Sequence, residues 1–266
     1  MSVLLLRLAG PLQSWGSSSR FQTRHTGTEP TKSAVIGLLA SAQGRLRGDE
    51  IEDLLHLHFG VRIDQPGRLV NDMQTAEQKQ PTANNHVAKI EVSTEDGNLK
   101  CKEKSRKKNK SNRLVTHRYY LSDAKFLVAL GADSALLEGL DQALRHPRWS
   151  LYLGRRACPP DYPVSLGLEQ YDHVDQALRT YRWIAAKWYK KRHPGRQLEV
   201  VCDEDCTPDA VNGVISSQTD VPVSFGSARK YAVRAVNRYK IPNPDGPGPD
   251  ERRSKAVPDH DPMSFF

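Results

Sequence analysis

Cysteine is scarce in this 266-residue chain, and Cys101, Cys158, Cys202 and Cys206 are scattered rather than clustered. A chain of this length buries a substantial core without disulfides. A disulfide-stapled scaffold is therefore excluded, and the thiols are read as reduced. Cys202-x-x-x-Cys206 has no second ligand pair at zinc-like spacing, and Asp203, Glu204 and Asp205 between the two thiols oppose thiolate formation. His56 and His58, two apart on a predicted helix, face different ways. No metal and no cofactor are expected. Long apolar runs are also missing, and none approaches the roughly 20 residues that span a bilayer. The opening stretch Ser2 to Ala9 is interrupted by Arg7 and stopped by Gly10-Pro11. It has neither a basic n-region nor a long apolar h-region, so it does not read as a signal peptide. Lipidation motifs and basic amphipathic stretches are absent too, which leaves a cytoplasmic protein without membrane contact as the expectation. A Walker loop, a Rossmann glycine fingerprint and a G-x-S-x-G elbow are all lacking.

What the chain has in excess is positive charge. Lys and Arg number 39 against 31 Asp and Glu, a net charge of +8. That balance points to a polyanionic partner, most simply nucleic acid.

The pattern of apolar residues predicts a mixed α+β chain. Val3 to Ala9 reads as a buried strand. A polar stretch follows to Thr31, which is placed to cap a helix from Lys32, with Val35, Leu38, Leu39 and Ala42 on one face and Gly44 as its stop. Glu50 to His58 reads as a short helix and Phe59 to Ile63 as a strand. Arg68 to Thr75 and His86 to Ser93 are strand candidates, the second running into an Asp96-Gly97 turn. Leu114 to Ser122 and Lys125 to Leu130 read as strands, followed by an amphipathic helix from Ser134 to Arg145 that Pro147 ends. Val174 to Trp188 reads as partly helical, and Gln197 to Cys202 and Lys230 to Arg238 alternate like strands. The order over residues 1–165 predicts a ferredoxin-like (RRM-like) βαββαβ core interrupted by a polar insertion at about 71–113. A less regular, β-rich part spans 166–241, and a Pro- and Gly-rich tail at 242–266 is expected to be disordered.

Four features carry candidate chemistry. The densest basic run, Lys100 to Arg113, includes Lys107, Lys108 and Arg113 against a single Glu103. Such an arm either tracks a phosphate backbone by counterion release or is a solvated loop. In Arg118-Tyr119-Tyr120 on a predicted strand, Arg118 and Tyr120 share a face, where they suit base stacking and phosphate pairing. One of the two tyrosines is expected in the core. Tyr152-Leu153-Gly154-Arg155-Arg156 combines a glycine that permits close backbone approach with paired guanidiniums matched to phosphate oxygens. Gln13-Ser14-Trp15-Gly16 follows the first strand, with Arg20 and Arg24 beyond it. Trp15 either stacks on a base or caps the core.

Taken in order, four blocks resemble one family. LLLRLAGPLQSWG at 4–16, TGTEPTKSAVIGLLASAQG at 26–44, RYYLSDAKFLVAL at 118–130 and YLGRRACP at 152–159 are similar to the CasD-type subunits of the type I-E Cascade complex. The resemblance covers roughly residues 1–165. It implies a RAMP-type protein with a ferredoxin-like core and an inserted β-hairpin thumb. It also implies a non-catalytic role in antiviral defence, in which the chain binds the repeat-derived 5′ handle of the CRISPR RNA. The backbone subunit CasC, whose filament it would cap, and the large subunit CasA would be partners, and target DNA would be met only through the assembled complex. On that basis Arg118, Tyr120, Tyr152, Arg155 and Arg156 become RNA contacts, and Lys32 and Ser33 would cradle a phosphate at the helix N-terminus.

Two other functions fit the residue types. A metal-independent endoribonuclease that processes repeat RNA needs a general base, a general acid and a cation. His25 or His117, Tyr119 or Tyr120, and Lys32 or Lys125 offer these. A pure assembly module would use its basic excess against acidic neighbours alone.

Overall fold

A computed structural model describes residues 1–16, 22–78, 112–161, 163–206, 213–226 and 229–245. In chain order the strands and helices are β1 (Ser2–Ala9), β2 (Leu12–Gln13), β3 (Thr23–Arg24), α1 (Lys32–Gln43), α2 (Glu52–Leu55), β4 (His58–Gln65), β5 (Arg68–Gln78) and β6 (Asn112–Ser122). They continue with β7 (Lys125–Gly131), α3 (Ser134–Arg145), β8 (Ser165–Gln170), α4 (Val174–Thr180), α5 (Lys187–Arg192), β9 (Leu198–Asp203), β10 (Val214–Ser224) and β11 (Lys230–Ile241).

One seven-stranded sheet, in the order β10-β11-β9-β4-β7-β1-β8, forms the centre. All its pairings are antiparallel. β1 is buried on both sides, and successive residues point to opposite faces. Leu4, Leu6 and Leu8 pack with Val35 and Leu39 of α1 and Leu137 and Leu140 of α3. Val3 and Leu5 pack on the other face with Val174 and Leu178 of α4 and Tyr189 of α5. This explains why β1 and β7 read as continuous apolar runs rather than as alternating strands. The boundary expected after residue 165 falls at the first residue of β8, and strands from both sides of it share this sheet.

The second face is tied to β4 by a buried ion pair. Arg62 on β4 is fully buried and donates from Nε and Nη2 to Asp64, at 2.6 and 3.0 Å. Its remaining N–H groups donate to the carbonyls of Leu178, Tyr181 and Arg182. Asp64 in turn accepts from the Ile184 N–H at 2.7 Å. Every polar group of the pair is thus satisfied, which is the condition for keeping charge inside a core.

β5 and β6 leave this sheet as a separate antiparallel ribbon in unbroken register from Arg68 opposite Ser122 to Gln78 opposite Asn112. Among the described residues, only β2 and β3 flank it. Leu69 and Met73 on β5 and Leu114 on β6 are exposed. The expected strand His86 to Ser93, the Asp96-Gly97 turn and nearly all of the tail after Pro242 lie outside the described residues. The helix expected over 50–58 is shorter: only Glu52–Leu55 is helical, and His58 already belongs to β4. β8, β10 and the two-residue strands β2 and β3 lay outside the expected elements.

Candidate nucleic-acid interface

The first turn of α1 is a saturated charge site. Thr31 caps the helix by accepting from the Ala34 N–H at 3.3 Å. The Lys32 N–H, one of the end groups a helix leaves unpaired, donates to Asp220 of β10 at 2.8 Å. The Lys32 ammonium pairs with Asp203 of β9 at 3.1 Å. Arg234 of β11 bridges Asp203 and Asp220 and lies over the Phe59 ring at 5.0 Å. A helix N-terminus attracts an anion, and here the anion is the chain's own Asp220. The expectation that Lys32 and Ser33 cradle a phosphate there is therefore corrected: Lys32 is buried and ion-paired within the fold. Ser33 pairs with the Thr31 hydroxyl at 3.2 Å and faces a groove instead.

That groove, about 590 Å³, runs along the solvent side of α1. Its walls are α1 with the Arg45–Arg47 turn, the 149–156 turn, Arg24 on β3, and Phe225, Arg229 and Tyr231 where β10 ends and β11 begins. Six arginines line it (24, 45, 47, 155, 156 and 229), together with Trp149, Tyr152, Phe225 and Tyr231. No carboxylate is among the lining residues. Arg45 is spoken for by a bidentate pair with Asp53 and a bond to the Glu50 carbonyl. Arg155 donates to the carbonyls of Tyr119, Arg24 and His25 at 3.1–3.3 Å, holding β3 and β6 together. Arg24, Arg47, Arg156 and Arg229 are exposed and make no ion pair among the described residues.

The 149–156 turn is fixed by its backbone. Gly154 has φ of 89°, and a Cβ there would lie 1.8 Å from the Ser14 carbonyl oxygen. No other residue fits that spot, so glycine is what lets Tyr152, Arg155 and Arg156 reach the groove.

The structure thus brings Arg24, Ser33, Tyr152, Arg155 and Arg156 into one place. It sends other expected contacts elsewhere. Trp15 is 1% exposed: its indole N–H donates to Gln13 at 3.1 Å and its ring meets Phe126 edge-on. It caps the core and offers no face to a base. Tyr120 is buried beneath the Arg155 guanidinium, 4.9 Å from ring to cation. Tyr119, the other tyrosine, is the more accessible one and stacks on His25 at 5.1 Å. Arg118 is half-buried on β6, with its Nε lacking a hydrogen-bond partner. Arg113 lies on β6 opposite Glu77 in the ladder. Arg20, Lys107 and Lys108 lie outside the described residues. For catalysis, Lys32 and Lys125 are both buried, which removes them as accessible cations. His117 Nδ1 meets the Asn71 amide at 3.3 Å.

Sequence reasoning missed Arg45, Arg47, Trp149, Arg229 and Tyr231. None carries a local motif, and Arg229 and Tyr231 come from the C-terminal third that only folding brings beside α1. Folding also assembles donors that spacing did not connect: atoms of His58, Asp205 and Cys206 lie within 4.8 Å of one another. A hydrogen bond with Cys202, burial and the charges of Asp205 and Asp203 push the Cys206 thiol far up, so it is held protonated. No helix among the described residues is long and apolar enough to cross a membrane.

Comparison with known proteins gives the family. The CRISPR-associated protein family Cas5 matches residues 3–237, and the chain belongs to it. The chain is 32% identical over 197 residues to the CRISPR system Cascade subunit CasD of Escherichia coli (strain K12), covering 71% of this chain and 81% of the relative. Among solved structures, a chain of a CRISPR RNA-guided surveillance complex matches with a TM-score of 0.66 and 31% identity, covering 94% of this chain and 96% of that one. A second, described as the crystal structure of a Cas protein, matches at 0.62 and 33%, covering 92% and 97%.

Proposed function

We propose that this chain is the non-catalytic RNA-binding subunit of a Cascade-type surveillance complex, and that its groove takes the 5′ handle of the CRISPR RNA. The single observation that carries the reading is the groove lined by six arginines and four aromatic rings without a carboxylate. Guanidiniums suit phosphate oxygens, and Trp149, Tyr152 and Tyr231 are placed to stack on splayed bases. An RNA ligand also agrees with the relatives, one a Cascade subunit and one part of an RNA-guided complex.

In the same reading the chain caps the CasC filament with CasA nearby, in the cytoplasm, and meets target DNA only through the assembled complex. The strand order β8-β1-β7-β4 with α1 and α3 on one face supports a ferredoxin-like RAMP core within residues 1–165. The β5–β6 ribbon, which brackets the basic run, supports a thumb.

The test is binding of the purified chain to RNA carrying the cognate repeat-derived handle, with a scrambled RNA of equal length as control and gel analysis of the same samples. Handle-dependent binding of intact RNA is expected. Arg24→Glu with Arg156→Glu should weaken it at least tenfold and reduce the salt slope by about 1.4, at roughly 0.7 per lost phosphate contact. Equal binding of both RNAs by the wild type and the double variant would sink the groove reading. Cleaved RNA would sink the non-catalytic one and direct attention to His25 and His117.

A further inference from the structure

We propose that α5 and the turn after it form a second binding surface, for single-stranded nucleic acid, on the face of the main sheet opposite the arginine groove. The placement follows from β1. Leu4, Leu6 and Leu8 pack with α1, whose solvent side lines the groove, whereas Val3 and Leu5 pack in the cluster that contains Tyr189 of α5. A strand held in the groove therefore does not cover α5.

The segment Lys187–Arg196, KWYKKRHPGR, holds five cationic residues and no acidic one. Lys190 is tied to Asp245 at 2.6 Å. Lys187, Lys191, Arg192 and Arg196 are exposed and form no ion pair among the described residues. Among them stands Trp188, 48% exposed on a helix whose next residue, Tyr189, is buried. The two rings meet edge-on at 5.6 Å, and the Arg192 guanidinium lies 5.5 Å from the Trp188 ring. A cationic track with an anchored aromatic ring matches the way single strands are gripped, with phosphates on the cations and a base on the ring. A duplex, its bases already stacked, has no use for the ring.

This surface stands apart from the groove reading, and the test separates them. In full-length protein whose groove carries Arg24→Glu and Arg156→Glu, binding of labelled oligo(dT) and oligo(rU) of about 16 nucleotides is followed by anisotropy over a salt series. The groove-reversed protein should retain salt-sensitive binding. Adding Lys187→Glu, Lys191→Glu and Arg192→Glu should weaken it at least tenfold and flatten the salt slope by about 2. Trp188→Ala, which changes no charge, should weaken it about fivefold or more. The three charge reversals alone, in an intact groove, should leave handle binding as in the wild type. A preference between oligo(dT) and oligo(rU) would assign the surface to DNA or to RNA. No residual binding in the groove-reversed protein, or no effect of the charge reversals, would overturn the proposal. An unchanged affinity on Trp188→Ala would overturn its single-strand part.

Discussion

Two basic clusters border the same helix, and they differ in what faces them. At the start of α1, Lys32 and Arg234 meet Asp203 and Asp220, all four buried or nearly so, and every charge is matched inside the fold. Along its solvent side, Arg47 from beyond the Gly44 cap joins Arg24, Arg156 and Arg229 around a groove without an acid in its lining. The first cluster holds β9, β10 and β11 against the helix. The second has nothing of its own to hold. Charge sign does not separate them, since both place cations on or beside one helix. The supply of carboxylates does.

The sharpest way to break this comparison is to unbalance the closed cluster. Arg234→Met removes the guanidinium that bridges Asp203 and Asp220 in a buried site, and removing one partner of such a network costs about 3–5 kcal/mol. Urea unfolding should register that loss. A loss below about 1 kcal/mol would show the network to be dispensable, and the contrast with the groove would fail. Thr31→Ala tests the same helix end more gently. Loss of its cap to the Ala34 N–H should cost about 1 kcal/mol in the same assay.

The smallest expected effect sharpens the open side. The hydrogen bond from Arg45, with its charge, holds the Asp53 carboxyl below the usual carboxylate range. The pair's contribution to stability is therefore present above the ordinary Asp value of about 3.9 and is lost as pH falls through the lowered value in the folded chain. Asp53→Asn should release Arg45 toward the groove and steepen the salt dependence of RNA binding by about 0.7. An unchanged slope would mean that Arg45 is held by the Glu50 carbonyl alone.

Much of the scaffold was legible because its signals are local. Val3 to Ala9, the helix capped by Thr31 and stopped by Gly44, and the helix from Ser134 all appear within a residue or two of the expected bounds. Gly44 adopts φ of 77°, the conformation that such a stop requires. The site was legible only in part. Tyr152, Arg155 and Arg156 come as one motif on one turn, and they stay together. Lys32 read equally well as a phosphate ligand, because its partners lie 171 and 188 residues further along the chain, at Asp203 and Asp220. Strand alternation put Arg118 and Tyr120 on one face, but it does not say which face lies under Arg155. Sequence places a charge on an element. Only the fold decides whether an opposite charge is waiting for it.

The corner beneath the β5–β6 ribbon has a mechanical consequence. Gly67 at φ of 74° and Asp123 at φ of 55° turn the two strands away from the main sheet. Gln65 donates to the Asp123 carbonyl at 2.6 Å, and the Asp123 N–H donates to the Pro11 carbonyl at 3.2 Å. A Cβ at Gly67 would lie 2.6 Å from the Ser122 carbonyl oxygen, so any other residue there tilts the joint. An eleven-residue strand reaches about 36 Å, at roughly 3.3 Å per residue. Over such a lever a tilt of about 5° at the root carries the far end through about 3 Å, the length of one strand residue. A substitution at this hinge therefore causes its largest displacement at the far end of the described ribbon, at Gln78 and Asn112.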